Sequence, residues 1–271
     1  MEKRTIATAD LWHGDCFHVM PQLPDKSVDL VLADLPYGTT DCKWDKTLPL
    51  DDLWANYSRL LKPGGAIILT ASQPFTSMLV ASNLKEFKVE WIWEKNAGSN
   101  FGTVKWQPMK EHESVLVFAN GTPYYRPIME QRAPSGLARV QTVVNYNTSA
   151  EVYENGKLDG QVSSKRPDLR YPRSIQKFNR ERGLHPTQKP VGLMRYFLET
   201  YSRPGAVVLD NCMGSGTTGV ACAETGRGFV GIEIDAKHYG TSVKRLEEAH
   251  GVFKDALDHI GFIGGLFADA C

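Results

Sequence analysis

No stretch of this chain approaches the roughly 20 consecutive apolar residues that a membrane-spanning helix needs. The first ten residues are charged and polar, with no apolar core of the kind a secretory leader carries. A cytoplasmic protein without a membrane partner is therefore the expectation. Cysteine is scarce: Cys16, Cys42, Cys212, Cys222 and Cys271 make an odd count with no C-x-x-C spacing. That argues against a disulfide framework and against a zinc site, and no metal is expected. The plain reading is isolated thiols in a reducing compartment. Net charge is lacking too, with 31 Lys and Arg against 31 Asp and Glu, which weighs against a uniformly basic nucleic-acid-binding coat. No internal repeat is visible.

What is present points to a large folded unit. The 271 residues suffice for one α/β domain, or one domain with an insertion, and 42% apolar content supports a sizeable core. The charge is unevenly spread. Between Lys165 and Arg182 stand seven basic residues (Lys165, Arg166, Arg170, Arg173, Lys177, Arg180, Arg182) against Asp168 and Glu181. A local basic stripe on a neutral protein suits contact with phosphates; a solvated linker face is the competing reading.

Apolar runs alternate with helical spacing. Val28–Ala33 is a short buried-strand pattern ending at Asp34-Leu35-Pro36-Tyr37-Gly38, and Asp51–Leu61 has apolar residues at helical intervals before Lys62-Pro63-Gly64-Gly65 stops it. Ala66–Leu69 reads as a strand, Phe75–Leu84 as a helix, and Val89–Trp93 and Val115–Phe118 as strands. From Gly121 to Leu184 periodicity fades, as in an insertion or irregular lobe without a strong helix. Order resumes with a helix over Val191–Tyr201, a strand over Ala206–Asp210, a glycine-led helix from Gly214 to Ala223, a strand over Gly228–Glu233 and a final helix over Ala236–Ala249. This alternation defines an α/β sheet.

Asp210-Asn211-Cys212-Met213-Gly214-Ser215-Gly216-Thr217-Thr218-Gly219 follows a buried strand and opens a helix. Glycines there allow a tight turn and close approach of a ligand to the backbone. Glu233, about 20 residues on, ends the next strand, where an acid can accept the hydroxyl hydrogens of a ribose. An adenosine-type cofactor is implied. The glycine spacing also fits a dinucleotide, or a plain strand-to-helix turn. Asp210 favours S-adenosylmethionine (AdoMet), because a carboxylate at the strand end repels a pyrophosphate and attracts the cationic amino-acid group of AdoMet.

Asp34-Leu35-Pro36-Tyr37 stands where ligands bind in open α/β sheets, beyond a strand's carboxyl end. Its chemistry suits an amino group on a base, whose lone pair is delocalised into the ring. The Asp34 carboxylate and the Leu35 carbonyl can accept its N–H bonds, Pro36 stiffens the turn, and Tyr37 offers a face on which an extruded base can stack. Standing alone, the segment is also readable as a strand-ending turn with an aromatic.

Taken together, these motifs resemble the amino-group DNA methyltransferases of the permuted β class, whose D-P-P-Y-like tetrapeptide precedes the AdoMet turn. Here Asp34–Tyr37 comes first, the turn from Asp210 follows roughly 175 residues later, His185-Pro186-Thr187-Gln188-Lys189-Pro190 lies just upstream of it, and Gly14-Asp15-Cys16 fits near the N-terminus. The resemblance covers about Trp12 to Leu246. It implies a Rossmann-like seven-stranded sheet with a small irregular target-recognition lobe. The expected segments are 1–120 (catalytic half), 121–184 (target recognition), 185–250 (AdoMet-binding half) and 251–271 (C-terminal tail). It further implies that Asp34, Leu35, Pro36 and Tyr37 form the target-amine pocket. Thr187, Gln188 and Lys189 would lie by the methionine end of AdoMet, Asp210, Gly214 and Ser215 by its amino-acid portion, Glu233 by the ribose, and Asp15 and Cys16 by the adenine. Lys165, Arg166, Arg170, Arg173, Lys177 and Arg180 are the DNA-contact candidates.

The expected activity is AdoMet-dependent methylation of adenine N6 in double-stranded DNA by base flipping. Cytosine-N4 methylation is the first alternative. A degraded, DNA-binding module is a second, and methylation of RNA or of protein glutamine a third, against which Asp34 weighs because an N-P-P-Y-like tetrapeptide is usual there. Partners to consider besides DNA are a second copy of the chain, as a homodimer, and a cognate restriction endonuclease. Two departures from the family pattern stand out: Leu35 replaces the usual Pro, and Asp210-Asn211-Cys212 replaces Asp-Pro-Phe. His185 could touch cofactor or substrate, Lys43 and Trp44 could form a flap, and Asn96–Trp106 reads as a flexible loop near the site. Trp91 and Trp93, alternating on a strand, read as core.

Overall fold

The structure, a computed structural model, describes residues 1–39, 45–141, 168–181, 183 and 188–251, with the backbone alone for 138–141. The expectations placed on Lys43, Trp44, Lys165, Arg166, Arg182, His185, Pro186 and Thr187, and on the tail past residue 251, lie outside the described residues.

The chain divides into a main unit, Met1–Arg126 with Ser174–Cys271, and a second unit, Pro127–Arg173. The main unit opens with β1 (Glu2–Ile6), β2 (Ala9–His13), α1 (Cys16–Val19), β3 (Val28–Asp34), α2 (Leu50–Leu60), β4 (Leu61–Ala71), α3 (Phe75–Ser82), β5 (Phe87–Ser99) and β6 (Lys110–Phe118). The second unit holds β7 (Glu130–Gln131), α4 (Pro134–Gln141) and β8 (Leu169–Arg170), with β7 and β8 paired antiparallel. The main unit resumes with β9 (Ile175–Lys177), α5 (Val191–Tyr201), β10 (Val207–Asp210), α6 (Thr217–Thr225), β11 (Gly228–Glu233) and a helix over residues 236–251.

One mostly parallel sheet organises the main unit, in the order β1-β2-β11-β10-β3-β4-β6-β5-β9. The seven strands from β2 to β5 form the expected sheet, and the count is corrected to nine by two edge strands. β1 folds back on β2 as an antiparallel hairpin and covers that free edge. β9 pairs parallel with β5 through Ile92, Trp93 and Glu94. The segment from Ser174 thus belongs to the sheet, although its polar sequence reads as part of the irregular lobe. β5 also runs on to Ser99, so the first part of the segment read as a flexible loop is strand.

Period-2 alternation explains why the central strands are apolar throughout. On β3, Leu30 and Leu32 face one core while Val31 and Ala33 face the other. The first core packs Leu193 and Phe197 of α5, Val220 and Cys222 of α6, and Leu246 against the sheet. The second packs Leu53, Tyr57 and Leu60 of α2 and Phe75 and Leu79 of α3 against the opposite face. α2 forms because its apolar positions share one stripe, with Asp51 and Asp52 in the first turn, where carboxylates suit the helix dipole. Trp91 and Trp93 are buried, and their indole N–H groups donate to the Tyr201 hydroxyl and the Phe178 carbonyl.

The topology sets the position of the site. β3 leads through α2 outward to β4, whereas β10 leads through α6 outward to β11. β3 and β10 are parallel neighbours, paired at Leu30↔Val208 and Val31↔Leu209. Strand order therefore reverses between them, and the crevice beyond their carboxyl ends is the topological switch point where α/β sheets bind ligands. The Asp29 carboxylate, which accepts from Val207 N and pairs with Lys62 Nζ, each at 2.8 Å, fastens the two strands at the other end.

α6 lies close on β11. A Cβ added at Gly219 would stand 2.7 Å from the Phe229 ring. Gly219→Val is expected to lower unfolding stability by roughly 1–3 kcal/mol through overpacking, a loss larger than the few tenths that Val gains over Gly in helix propensity. Urea denaturation of the two proteins checks this.

Candidate active site

A cavity of about 530 Å³ opens at the switch point, within the usual range for small-molecule sites. Asp34, Leu35, Pro36 and Tyr37 line it from the end of β3, and Asp210, Gly214 and Ser215 from the turn after β10. Glu233 enters at the end of β11, Asp15 and Cys16 at the start of α1, and Gln188 and Lys189 just before α5. Every described candidate for the amine pocket and the cofactor therefore borders one space.

The basic candidates divide. Arg170 and Arg173, in the second unit, both pair with Glu130. Lys177 and Arg180 belong to the main unit, Lys177 paired with Glu94 at 2.8 Å and the Arg180 backbone N–H donating to Asn96 Oδ1.

The turn after β10 is tied down by its own groups. Gly216 has φ +79°, which an L-residue with a side chain rarely adopts, and an added Cβ would lie 2.8 Å from Ser242 Cβ. Arg245 donates to the Ser215 carbonyl at 2.7 Å. The Gly214 N–H donates to Glu233 Oε2 at 2.8 Å and Asp235 N–H to Glu233 Oε1 at 2.7 Å. Each Glu233 oxygen keeps a second lone pair for a ligand hydroxyl. Where the family pattern has Pro, Asn211 accepts from the Tyr57 hydroxyl at 2.5 Å, so side-chain hydrogen bonding supplies the stiffness a proline ring would. Burial pushes the Asp210 carboxyl up to about 7, against hydrogen bonds from Thr218 and the Cys212 backbone that favour its charge. Burial likewise raises Glu233.

The other end of the cavity holds a cluster of charges of which sequence motifs marked only Asp34 and Lys189. Asp34 Oδ2 pairs with Lys189 Nζ at 2.7 Å, while Oδ1 accepts from the Tyr37 hydroxyl at 2.9 Å and from Thr70. Lys189 also reaches Glu113 at 3.4 Å, and Glu113 pairs with Lys95. The Tyr37 hydroxyl is 3.3 Å from Glu113 Oε2, its ring stacks on Phe75 with centroids 5.5 Å apart, and Lys189 Nζ lies 5.3 Å from its centroid. Two carboxylates and two ammonium groups thus neutralise one another where little water reaches. Burial opposes the charge of Glu113, but Lys189 and Lys95 outweigh it and hold its carboxyl below the ordinary value. Burial also opposes the charge of Lys189, yet Asp34 and Glu113 hold its ammonium above the ordinary value, so Lys189 is a fixed cation and not a base. Burial, Asp34 and Glu113 together keep the Tyr37 phenol protonated.

Lys95 had a readable signal. It follows Trp91 and Trp93 at period 2, so the face that buries the two indoles also buries its stem. Glu113 and Thr70 carried none beyond standing at strand ends beside apolar runs.

The sheet order, the switch-point cavity and the three acidic strand ends define an α/β protein of the nucleoside-cofactor-binding class. Its family follows from sequence. The profile of the N6_N4_Mtase family, described as DNA methylase, matches residues 28–244. The chain belongs to this N6/N4 DNA methyltransferase family. It is 28% identical over 254 residues to the DNA adenine methyltransferase YhdJ of Escherichia coli strain K12, covering 88% of this chain and 82% of the relative. It is 27% identical to the type II methyltransferase M.HinfI of Haemophilus influenzae, covering 87% of this chain and 67% of that protein. Two solved structures share the fold. M1.HpyAVI in complex with SAM has a TM-score of 0.59 at 24% identity, covering 88% of this chain and 98% of that one. The cytosine-N4-specific PvuII DNA methyltransferase has 0.61 at 14% identity, covering 94% of each. Among the described residues no helix is long and apolar enough to cross a membrane.

The charge cluster has a defined pH signature. Glu113, held low, stabilises the fold above its ordinary value of about 4.5, and this is lost as pH falls through its folded value. Lys189, held high, contributes fully below about 10.5 and loses its contribution as pH rises through its folded value. Glu113→Gln leaves Lys95 without its carboxylate and is expected to cost about 3 kcal/mol at pH 7. The gap between variant and wild type should narrow towards pH 4, as read by denaturant unfolding at the two pH values.

Proposed function

We propose that this chain is an AdoMet-dependent DNA methyltransferase acting on the exocyclic amino group of adenine in duplex DNA. The observation that carries the reading is the meeting of Asp34-Leu35-Pro36-Tyr37 and the Asp210–Ser215 turn on one cavity.

The donor set fits AdoMet. Two buried acids stand at adjacent strand ends, one suited to an ammonium and one to ribose hydroxyls, around a glycine turn that leaves the backbone open. Gln188 Oε1 is buried on the same wall with no hydrogen-bond partner among the described residues, which leaves an acceptor for a ligand. In this reading Asp210, Gly214 and Ser215 hold the amino-acid portion, Glu233 the ribose, Asp15 and Cys16 the adenine, and Gln188 the methionine end. When bound, AdoMet supplies an electrophilic methyl group on a sulfonium.

The chain's own residues then hold the base. Asp34 and the Leu35 carbonyl accept the amine hydrogens and aim its lone pair along the cavity. Tyr37, fixed on Phe75, gives the extruded ring a flat neighbour, and unstacking that base costs a few kcal/mol. Lys189 balances the Asp34 charge, so the carboxylate stays in place without a water shell. Asp34 favours adenine because cytosine-N4 enzymes of this pattern often carry Ser there, and YhdJ is an adenine enzyme. Cytosine N4 is the second reading, favoured by the fold shared with the PvuII enzyme. The second unit, with Arg170 and Arg173, is the candidate reader of DNA sequence, and Lys177 and Arg180 are candidate phosphate contacts.

Asp34→Ala should abolish transfer of tritiated methyl groups from AdoMet to duplex DNA while AdoMet binding stays measurable by calorimetry. Persistent transfer would remove Asp34 from the mechanism. Mass analysis of nucleosides from the methylated DNA should show N6-methyladenine; N4-methylcytosine would establish the second reading. A separate expectation concerns pH. With the Asp210 carboxyl near 7, AdoMet should bind more tightly as pH rises from about 6 to 7.5, before its own α-amino group titrates at about 7.7–8.0. Asp210→Asn should flatten that slope in calorimetric titrations.

A further inference from the structure

Glu113 belongs to neither the tetrapeptide nor the cofactor turn, and neither it nor Lys95 lines the cavity. It stands on β6 with its side chain largely buried. Its two oxygens divide the charge cluster between them. Oε1 takes the ammonium of Lys95, which also lies 5.0 Å from the centroid of the Trp93 ring. Oε2 faces the Lys189 Nζ at 3.4 Å and the Tyr37 hydroxyl at 3.3 Å. Those same two groups meet Asp34 at 2.7 Å and 2.9 Å. Glu113 is therefore joined to Asp34 twice, once through an ammonium that arrives just before α5 and once through the phenol of the tetrapeptide.

The arrangement bears on reactivity as well as on folding. Methyl transfer leaves the attacking nitrogen positively charged until it sheds a proton. Asp34 and Lys189 alone would form a neutral pair, and an ammonium so close to the amine opposes that charge. With Glu113 the three groups carry one net negative charge. Lys95 restores neutrality through Oε1, the oxygen that Lys189 and Tyr37 do not use. The salt bridges fix these charges before a substrate enters, so little has to reorganise as the reaction proceeds. Glu113 also gives Lys189 a second anion, and Asp34 Oδ2 keeps a lone pair for the amine.

We infer that Glu113 is a positioning residue for methyl transfer. Acting through Lys189 and Tyr37, it holds Asp34 in place for the amine and offsets the Lys189 charge as the nitrogen becomes cationic. This role rests on the target-amine pocket proposed above.

The test is steady-state transfer of tritiated methyl groups from AdoMet to unmethylated genomic DNA by the full-length protein. Glu113→Gln should lower kcat at least about tenfold. KM for AdoMet and KM for DNA should each move by less than about threefold, the pattern of an interaction realised in the transition state. Because Glu113→Gln also orphans the Lys95 ammonium, a second variant separates function from folding. Lys95→Met combined with Glu113→Gln removes both charges, so thermal unfolding should return towards the wild-type temperature while kcat stays low. A kcat that recovers together with stability in the double variant would reduce Glu113 to a structural group and overturn the inference. So would a Glu113→Gln enzyme with the wild-type kcat, or a loss confined to either KM. Wild-type protein that transfers no label would instead overturn the methyltransferase reading, and this role with it.

Discussion

The pairing of β3 with β10 is the constraint on which the rest of the molecule depends. It places two strand ends from opposite halves of the chain side by side, each finishing in an aspartate. The turns leaving those two ends carry the tetrapeptide on one side of the cavity and the glycines on the other. Both strands are buried on both faces, so a slip of one residue would turn apolar side chains from one core to the other. Their register, and with it the separation of Asp34 from Asp210, is held by both cores, by the Asp29 bridge and by parallel hydrogen bonding.

The cluster around Asp34 shows how charge persists in a partly buried cleft. A lone buried carboxylate would take up a proton or unfold its surroundings. Here Lys189, Glu113 and Lys95 complete a neutral set, and the hydroxyls of Tyr37 and Thr70 occupy the lone pairs that water would otherwise fill. Asp34 Oδ1 is fully engaged, while Oδ2, which accepts only from Lys189, keeps a lone pair for an incoming donor. The antiparallel β5–β6 pair supplies Lys95 and Glu113, half of the charge cluster beside the tetrapeptide.

Much of the architecture was legible in the sequence, for identifiable reasons. The helix Val191–Tyr201 and the strand Gly228–Glu233 match residue for residue, because strong apolar periodicity and flanking breakers left no competing pattern. β1, β2 and β9 were not legible. Glu2–Ile6 is mostly exposed and polar, and β9 is three residues long; such edge strands are made by the hydrogen-bonding edge they meet, not by their own composition. The helix α4 and the short β7–β8 pair were likewise hidden in a segment without clear periodicity. At the site, local motifs announced Asp34, Tyr37, Asp210 and Glu233. Glu113 and Thr70 could not announce themselves, because their importance comes from partners far along the chain that only the sheet order brings near.

The antiparallel strand β6 ends at Phe118 and the parallel strand β10 begins at Val207, yet the cleft needs both halves at once. During translation the tetrapeptide emerges long before the glycine turn. β3 pairs with β10 along one side, so before the distal half is made that edge of β3 has no partner. The cleft beside Asp34 is thus complete only once the distal half has been made.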